Sequence, residues 1–274
     1  MKPREVSPYK LNLFIQCAKR YYFEYLDSQL VPLKKEIKKK RAEMEMGSFI
    51  HDSLTLFFKK PSQERNWRTM TEILKNVWQG PRGKIGGFNS IEEERRYYQE
   101  ALDMLEWFFK NENLNPPIFA LPVSPPGKSF DDYKKIPFAE GLELGGKIDR
   151  VDMTPEGGLE IIDYKTGKEK NGALQLMVYV FLAEGLFNKP VKKASYLYLK
   201  SGNREPVIPD EFLRRQIREE ILEIVDRIGK EVEWNPNTSK LCAFCDYIDF
   251  CPAKEEVKKF MVKREIEGKS GKAP

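Results

Sequence analysis

Apolar positions recur at helical spacing through the first half of the chain and in short continuous or alternating runs through the second. Ser7-Pro8 has the form of a helix start, a capping side chain followed by proline at the first helical position. Leu13, Cys17, Tyr21 and Tyr25 then follow at intervals of four, which predicts one helix within 7–30 carrying Cys17 on an aromatic face. Further helices are expected over 43–58, 66–78 and 91–111, so that 43–133 reads as a helical region. Its glycine-rich stretch QGPRGKIGGFNS is expected to be an exposed loop. From Pro116 prolines punctuate the chain. Strand patterns follow at 134–140, 143–152 and 158–165, the last two joined by the hairpin signal TPEGG. A helix at 171–187, a strand at 192–200 and an amphipathic helix at 210–231 complete the pattern, with 268–274 expected as a disordered tail. This order predicts an α/β fold, a mixed β-sheet flanked by helices, in a single domain spanning 1–274.

Composition narrows the partners. The 274 residues suffice for a large core, and a net charge of +5 with 32% charged residues permits a polyanionic partner. No run approaches the roughly 20 apolar residues needed to span a bilayer, and the opening MKPREVSPYK lacks the apolar stretch of a secretory leader. A cytoplasmic protein without a membrane partner is expected. The basic run 34–41 reads as a solvated linker or flexible arm, with phosphate tracking as the sharper alternative.

Four cysteines occur: Cys17, and then Cys242, Cys245 and Cys251 in the spacing C-x2-C-x5-C. In a reducing compartment this pattern points to four thiolates on one inorganic centre, joining the N- and C-terminal segments. Buried free thiols or a redox CxxC are the plainer alternatives. Four thiolates serve zinc or iron-sulfur, although the spacing is unusual for a zinc ribbon.

The chemistry concentrates in GGKIDRVD and IIDYKTGK. Asp149 and Asp163 are expected on adjacent antiparallel strands, and the two-residue strand period puts Asp163 and Lys165 on one face. Two carboxylates brought together repel unless a hard divalent cation such as Mg2+ or Mn2+ neutralises them. Lys165 is then placed to orient or deprotonate an attacking water, or to offset transition-state charge. An ordinary surface ion pair is the alternative for D-x-K, but Ile161 and Ile162 make a buried strand that delivers Asp163 at its end. His51, the only histidine, is either a hydrogen-bonded core residue or a ligand. Gln175 and Tyr179 lie one helical turn apart and share a face. Glu140 reads as a solvated strand-end acid rather than a neighbour of the metal.

Asp149, the Asp163-Tyr164-Lys165 triplet and the Q-x3-Y spacing of Gln175 and Tyr179 resemble the PD-(D/E)xK nuclease superfamily, and its RecB-like branch in particular. The histidine in GSFIH and the four-cysteine pattern are similar to the iron-sulfur nucleases of the AddB, exonuclease V and CRISPR-associated type, over Ser7 to Pro252. The resemblance implies a restriction-endonuclease-like core at 134–200, and a [4Fe-4S] cluster on Cys17 and on the three cysteines within 241–252. It further implies a divalent metal on His51, Asp149, Asp163 and the Tyr164 carbonyl, with Lys165 as catalytic lysine and Gln175 and Tyr179 positioning the lysine or the DNA. The implied activity is Mg2+- or Mn2+-dependent hydrolysis of DNA, as a single-strand-preferring exonuclease or flap nuclease in repair or recombination, possible partners being a helicase or CRISPR adaptation proteins. Trimming of CRISPR spacer precursors is one alternative, and a non-catalytic iron-sulfur module binding single-stranded DNA is another. Two features depart from the family pattern: Ile148 stands where proline precedes the aspartate, and 59–133 matches no motif. Tyr9, Tyr21, Tyr22 and Phe244 are candidates for base stacking, though most such aromatics belong to cores.

Overall fold

The computed structural model describes residues 2–79, 83–123, 132–167 and 172–259. The expected tail at 268–274 and residues 80–82 of the glycine-rich loop lie outside them. The described residues fall into two compact units. A terminal unit is drawn from Met1–Pro3, Tyr9–Lys39 and Ile221–Pro274, and a core unit from Arg4–Pro8 and Lys40–Glu220. The helices in chain order include α1 (Pro8–Gln16), α2 (Ala18–Tyr25), α3 (Lys34–Ile37), α4 (Ala42–Phe58), α5 (Trp67–Val77), α6 (Ile91–Asn111), α7 (Ala173–Phe187) and α8 (Glu211–Lys230). The strands are β1 (Glu5–Val6), β2 (Ile118–Ala120), β3 (Lys134–Ala139), β4 (Leu142–Gly146), β5 (Arg150–Met153), β6 (Leu159–Lys165), β7 (Val191–Tyr198) and β8 (Asn203–Val207). No described helix is long and apolar enough to cross a membrane.

The core unit holds two sheets, one ordered β1-β4-β3 and one ordered β2-β5-β6-β7-β8. β6 is central, antiparallel to β5 and parallel to β7, and Leu159, Ile161, Ile162, Asp163 and Tyr164 are all buried, as a strand covered on both faces requires. On one side Ile162 and Tyr164 join a core built from Ile50, Leu54 and Phe57 of α4, Leu74 of α5 and Leu105 and Phe108 of α6. Helices α5 and α6, within the stretch unmatched by any motif, thus supply part of a wall behind the central strand. α7 is apolar around its whole circumference and packs against strands of both sheets, β3, β4, β6 and β7. Mixed sheets flanked by helices agree with the expected α/β class and with a restriction-endonuclease-like fold.

Several local expectations are corrected. The segment 143–152 is two strands in different sheets, β4 and β5, separated at Lys147–Asp149. Gly145 and Gly146 end β4 where bulky rings approach: a Cβ on Gly146 would lie 3.0 Å from the Tyr179 ring. The first helix breaks at Cys17, whose backbone is extended (φ −163°, ψ 105°), so Cys17 stands between α1 and α2 and not on a helix face. The basic run is no loose arm. Lys34 and Lys38 both grip Glu24, at 3.0 and 2.6 Å, and Glu24 is only 1% exposed. Within the glycine-rich loop Phe88 is buried, stacked on Trp78 at 5.9 Å. Strands β1, β2 and β8 were not expected. They are short, and all three lie at sheet edges, where Pro206 of β8 is tolerated.

Candidate active site

β5 and β6 pair with Arg150 opposite Ile162, so Asp149, one residue before β5, faces Asp163 one step beyond the ladder. The expected juxtaposition is present. Asp149 accepts a hydrogen bond from the Tyr164 backbone N–H at 3.1 Å, and its other oxygen lies 3.0 Å from His51 Nδ1. His51 is carried by α4, where Gly47, one turn earlier, leaves room for Thr166 just past β6: a Cβ there would stand 3.0 Å from the threonine hydroxyl. Lys165 Nζ lies 2.7 Å from Asp163 and donates to Gln175 Oε1 at 2.9 Å. Gln175 Nε2 donates in turn to Asp163 at 3.3 Å and to the Tyr179 hydroxyl at 3.1 Å. The ammonium also sits 5.0 Å from the centre of the Tyr196 ring, whose face attracts the charge.

The electrostatics of the two carboxylates diverge. Burial, then the charge of Asp149, pushes the Asp163 carboxyl up to about 6 against the opposing pull of Lys165. For Asp149 burial also works upward, but His51 and the Tyr164 N–H outweigh it and the net shift is downward. His51 mirrors this: burial disfavours its cation, Asp149 favours it more strongly, and its pKa rises. Among the described residues no group of three or more His, Cys, Asp or Glu side chains gathers as a finished metal site. The set expected from the sequence stands instead as two bonded groups, His51 with Asp149 and Asp163 with Lys165. Its donor chemistry fits a hard cation all the same. A buried carboxylate, Asp163, that resists ionisation beside the partly buried Asp149 forms a site that a divalent ion would relieve.

His51 and Asp149 line a cavity of about 1000 Å³ together with Glu43, Lys147, Thr166 and Lys200. The last four were missed in the sequence. Lys147 carried a faint signal, two residues ahead of Asp149, whereas Glu43 and Lys200 had none, since each sits on an element remote in sequence. Tyr164 enters through its N–H, and Glu140 is an exposed turn residue between β3 and β4. Of the candidate stacking aromatics, Tyr21 is buried core, Tyr9 bonds Glu24 at 3.1 Å, Tyr22 is half-buried beside Trp234 and Phe244 is exposed.

In the terminal unit Cys17, Cys242, Cys245 and Cys251 line one small cavity of about 20 Å³ together with Arg20, and no disulfide joins them. Backbone N–H groups of Asn237 and Ser239 approach the Cys17 and Cys242 sulfurs at 3.5 and 3.3 Å. Phe23 stacks on Tyr247 at 6.0 Å, and Cys245 and Cys251 pack against that pair. Burial raises the Cys245 thiol, with Cys17 and Cys242 adding to the shift. The four thiols satisfy the donor chemistry of a thiolate-bound centre, although they too fall short of a finished cluster.

A model of the PD-(D/E)XK nuclease superfamily matches residues 5–252. The chain belongs to the PD-(D/E)XK nuclease superfamily. Gene 69 protein of Mycobacterium phage D29 is 27% identical over 184 residues, covering 64% of this chain and 64% of the phage protein. The match therefore spans a little under two thirds of the phage protein's length. The crystal structure of SSO0001 aligns over 93% of this chain and 88% of its own, with 13% identity and a TM-score of 0.40, too distant to carry an argument.

Proposed function

We propose that this superfamily member is a divalent-cation-dependent DNA nuclease, an exonuclease or flap nuclease that prefers single-stranded ends and serves repair or recombination. The observation that supports it most is the convergence of two bonded groups, His51 with Asp149 and Asp163 with Lys165 and Gln175, where Asp149 faces Asp163 across neighbouring strands and the first group lines a large cavity. His51, Asp149 and Asp163 would hold Mg2+ or Mn2+, and a bound ion would supply an acidified water and neutralise charge at the phosphate. The protein's own part follows from its contacts. Asp163 and Gln175 hold the Lys165 ammonium at the site's edge, where it offsets charge developing on the phosphodiester oxygens. Tyr179 fixes the amide of Gln175 and thereby the lysine. The Tyr164 N–H keeps one oxygen of Asp149 aimed, leaving the other to His51.

The same proposal extends to the cysteines, for which the family resemblance supports a [4Fe-4S] cluster. The small volume of their cavity favours a single zinc ion as the second reading. Metal analysis of anaerobically purified protein separates the two. Activity is tested with end-labelled single-stranded, flapped and duplex oligonucleotides in Mg2+ or Mn2+. Cleavage that Asp163→Asn removes supports the proposal, and retained binding without cleavage would instead make the chain a DNA-binding module.

A further inference from the structure

Arg150 follows Asp149 directly and is 4% exposed, yet none of the chemistry above uses it. Its Nε and Nη2 donate to one oxygen of Asp152 at 3.2 and 2.8 Å, its Nη1 donates to the Tyr164 hydroxyl at 3.0 Å, and its guanidinium stacks over the Phe58 ring at 4.8 Å. The other Asp152 oxygen is buried without a hydrogen-bond partner. A buried ion pair left partly unsatisfied contributes little net stability, and apolar residues of similar volume often serve as well or better. Stability therefore gives a weak reason for a guanidinium here, and position gives a stronger one.

Tyr164 is where that position matters. Strand alternation turns its side chain away from the Asp163–Lys165 face and into the helical core. There its ring meets His51 edge-on at 6.0 Å and Phe108 at 5.8 Å, while its backbone N–H holds Asp149. One residue thus touches both partners of the His51–Asp149 pair, by its ring on one and by its main chain on the other. We propose that Arg150 is a positioning residue which, by clamping the Tyr164 hydroxyl from the core side, sets the ring against His51 and the main chain against Asp149. The inference rests on the nuclease reading, since it assigns Arg150 to the geometry of the proposed cation site.

The test compares Arg150→Met, Arg150→Lys and Tyr164→Phe with the wild-type chain, by Mn2+ calorimetry, metal-free thermal melting, and separate kcat and KM on a single-stranded oligonucleotide. Arg150→Met strands the buried Asp152 carboxylate and is expected to melt several degrees below wild type, to bind Mn2+ about tenfold more weakly and to lose kcat with little change in KM, as removal of a group that orients metal ligands does. Arg150→Lys should fall between the two. Tyr164→Phe keeps the ring and removes the clamped hydroxyl, so it should reproduce the weaker Mn2+ binding, and adding Arg150→Met to it should cost nothing further. Wild-type Mn2+ affinity in either single variant overturns the proposal. Should Arg150→Met fail to fold, Tyr164→Phe decides alone. A wild-type chain that neither binds Mn2+ nor cleaves DNA would sink the nuclease reading itself, whereas a competent wild type with indifferent variants sinks only the role of Arg150.

Discussion

Asp163 meets Lys165 at 2.7 Å and Gln175 at 3.3 Å, and Gln175 is itself fixed by Tyr179 one helical turn away. In the cysteine cavity the corresponding contacts are backbone N–H groups reaching Cys17 and Cys242 at 3.5 and 3.3 Å from a stretch of short irregular turns. The first cluster hangs on a central strand and a buried helix, the second on the break between two short helices and on 3-10 turns. Side chains projecting from regular elements can be held in place by the polypeptide alone. If the proposed thiolate-bound centre is present, it would hold together thiols that stand on turns, so metal at the first site should matter for chemistry and metal at the second for stability.

The largest effect expected is on catalysis. Asp163→Asn or Lys165→Ala should lower kcat at least about a thousandfold while the melting temperature stays within a few degrees. A large loss of stability with activity retained would reverse the comparison. In the opposite sense, Cys245→Ser should release the thiolate-bound metal and lower the melting temperature by about 10 °C, since a link closing so long a loop is worth several kcal/mol. Metal analysis and calorimetry check this, and an unchanged melting temperature would remove the structural role.

Proton competition gives a further contrast. The Asp163 carboxyl, raised from 3.8 to about 6, takes up a proton in the folded state before the unfolded chain does as pH falls. Its contribution therefore stabilises the metal-free fold fully below 3.8 and is lost as pH rises through about 6. A divalent ion must displace that proton, so the Mn2+ titration midpoint should rise about tenfold per pH unit below 6. A flat midpoint between pH 7 and 5 would mean that Asp163 is not a ligand.

Smaller effects probe the supports. Gly146→Ala places a Cβ 3.0 Å from the Tyr179 ring, and the displaced tyrosine should loosen Gln175 and cost up to about tenfold in kcat. Glu24→Gln leaves Lys34 and Lys38 without their buried counter-charge and should lower the melting temperature by a few degrees with cleavage little changed.

What the sequence disclosed follows from the ranges over which its signals act. Asp163 with Lys165, and Gln175 with Tyr179, are legible because each pair lies within one strand or helix period, and the short hairpin brings Asp149 opposite Asp163. The division between β4 and β5 was missed although Gly145-Gly146 is a breaker signal, because the apolar and polar alternation resumes beyond it and the change of sheet depends on tertiary pairing. The break at Cys17 was hidden because i, i+4 spacing continues across it. Lys200 and Glu43 line the cavity through tertiary packing alone. Arg150 stood in plain view beside Asp149, but its value depends on Tyr164 and Phe58, contacts that spacing does not reveal.

The central claim, that His51, Asp149 and Asp163 share one divalent cation, is tested most directly by anomalous diffraction from crystals soaked in Mn2+. The account predicts one Mn2+ peak within coordination distance of both carboxylates and the imidazole, with Lys165 still on Gln175. A Mn2+ ion bound elsewhere, or none, with Asp149 still on His51 and Asp163 still on Lys165, would contradict it.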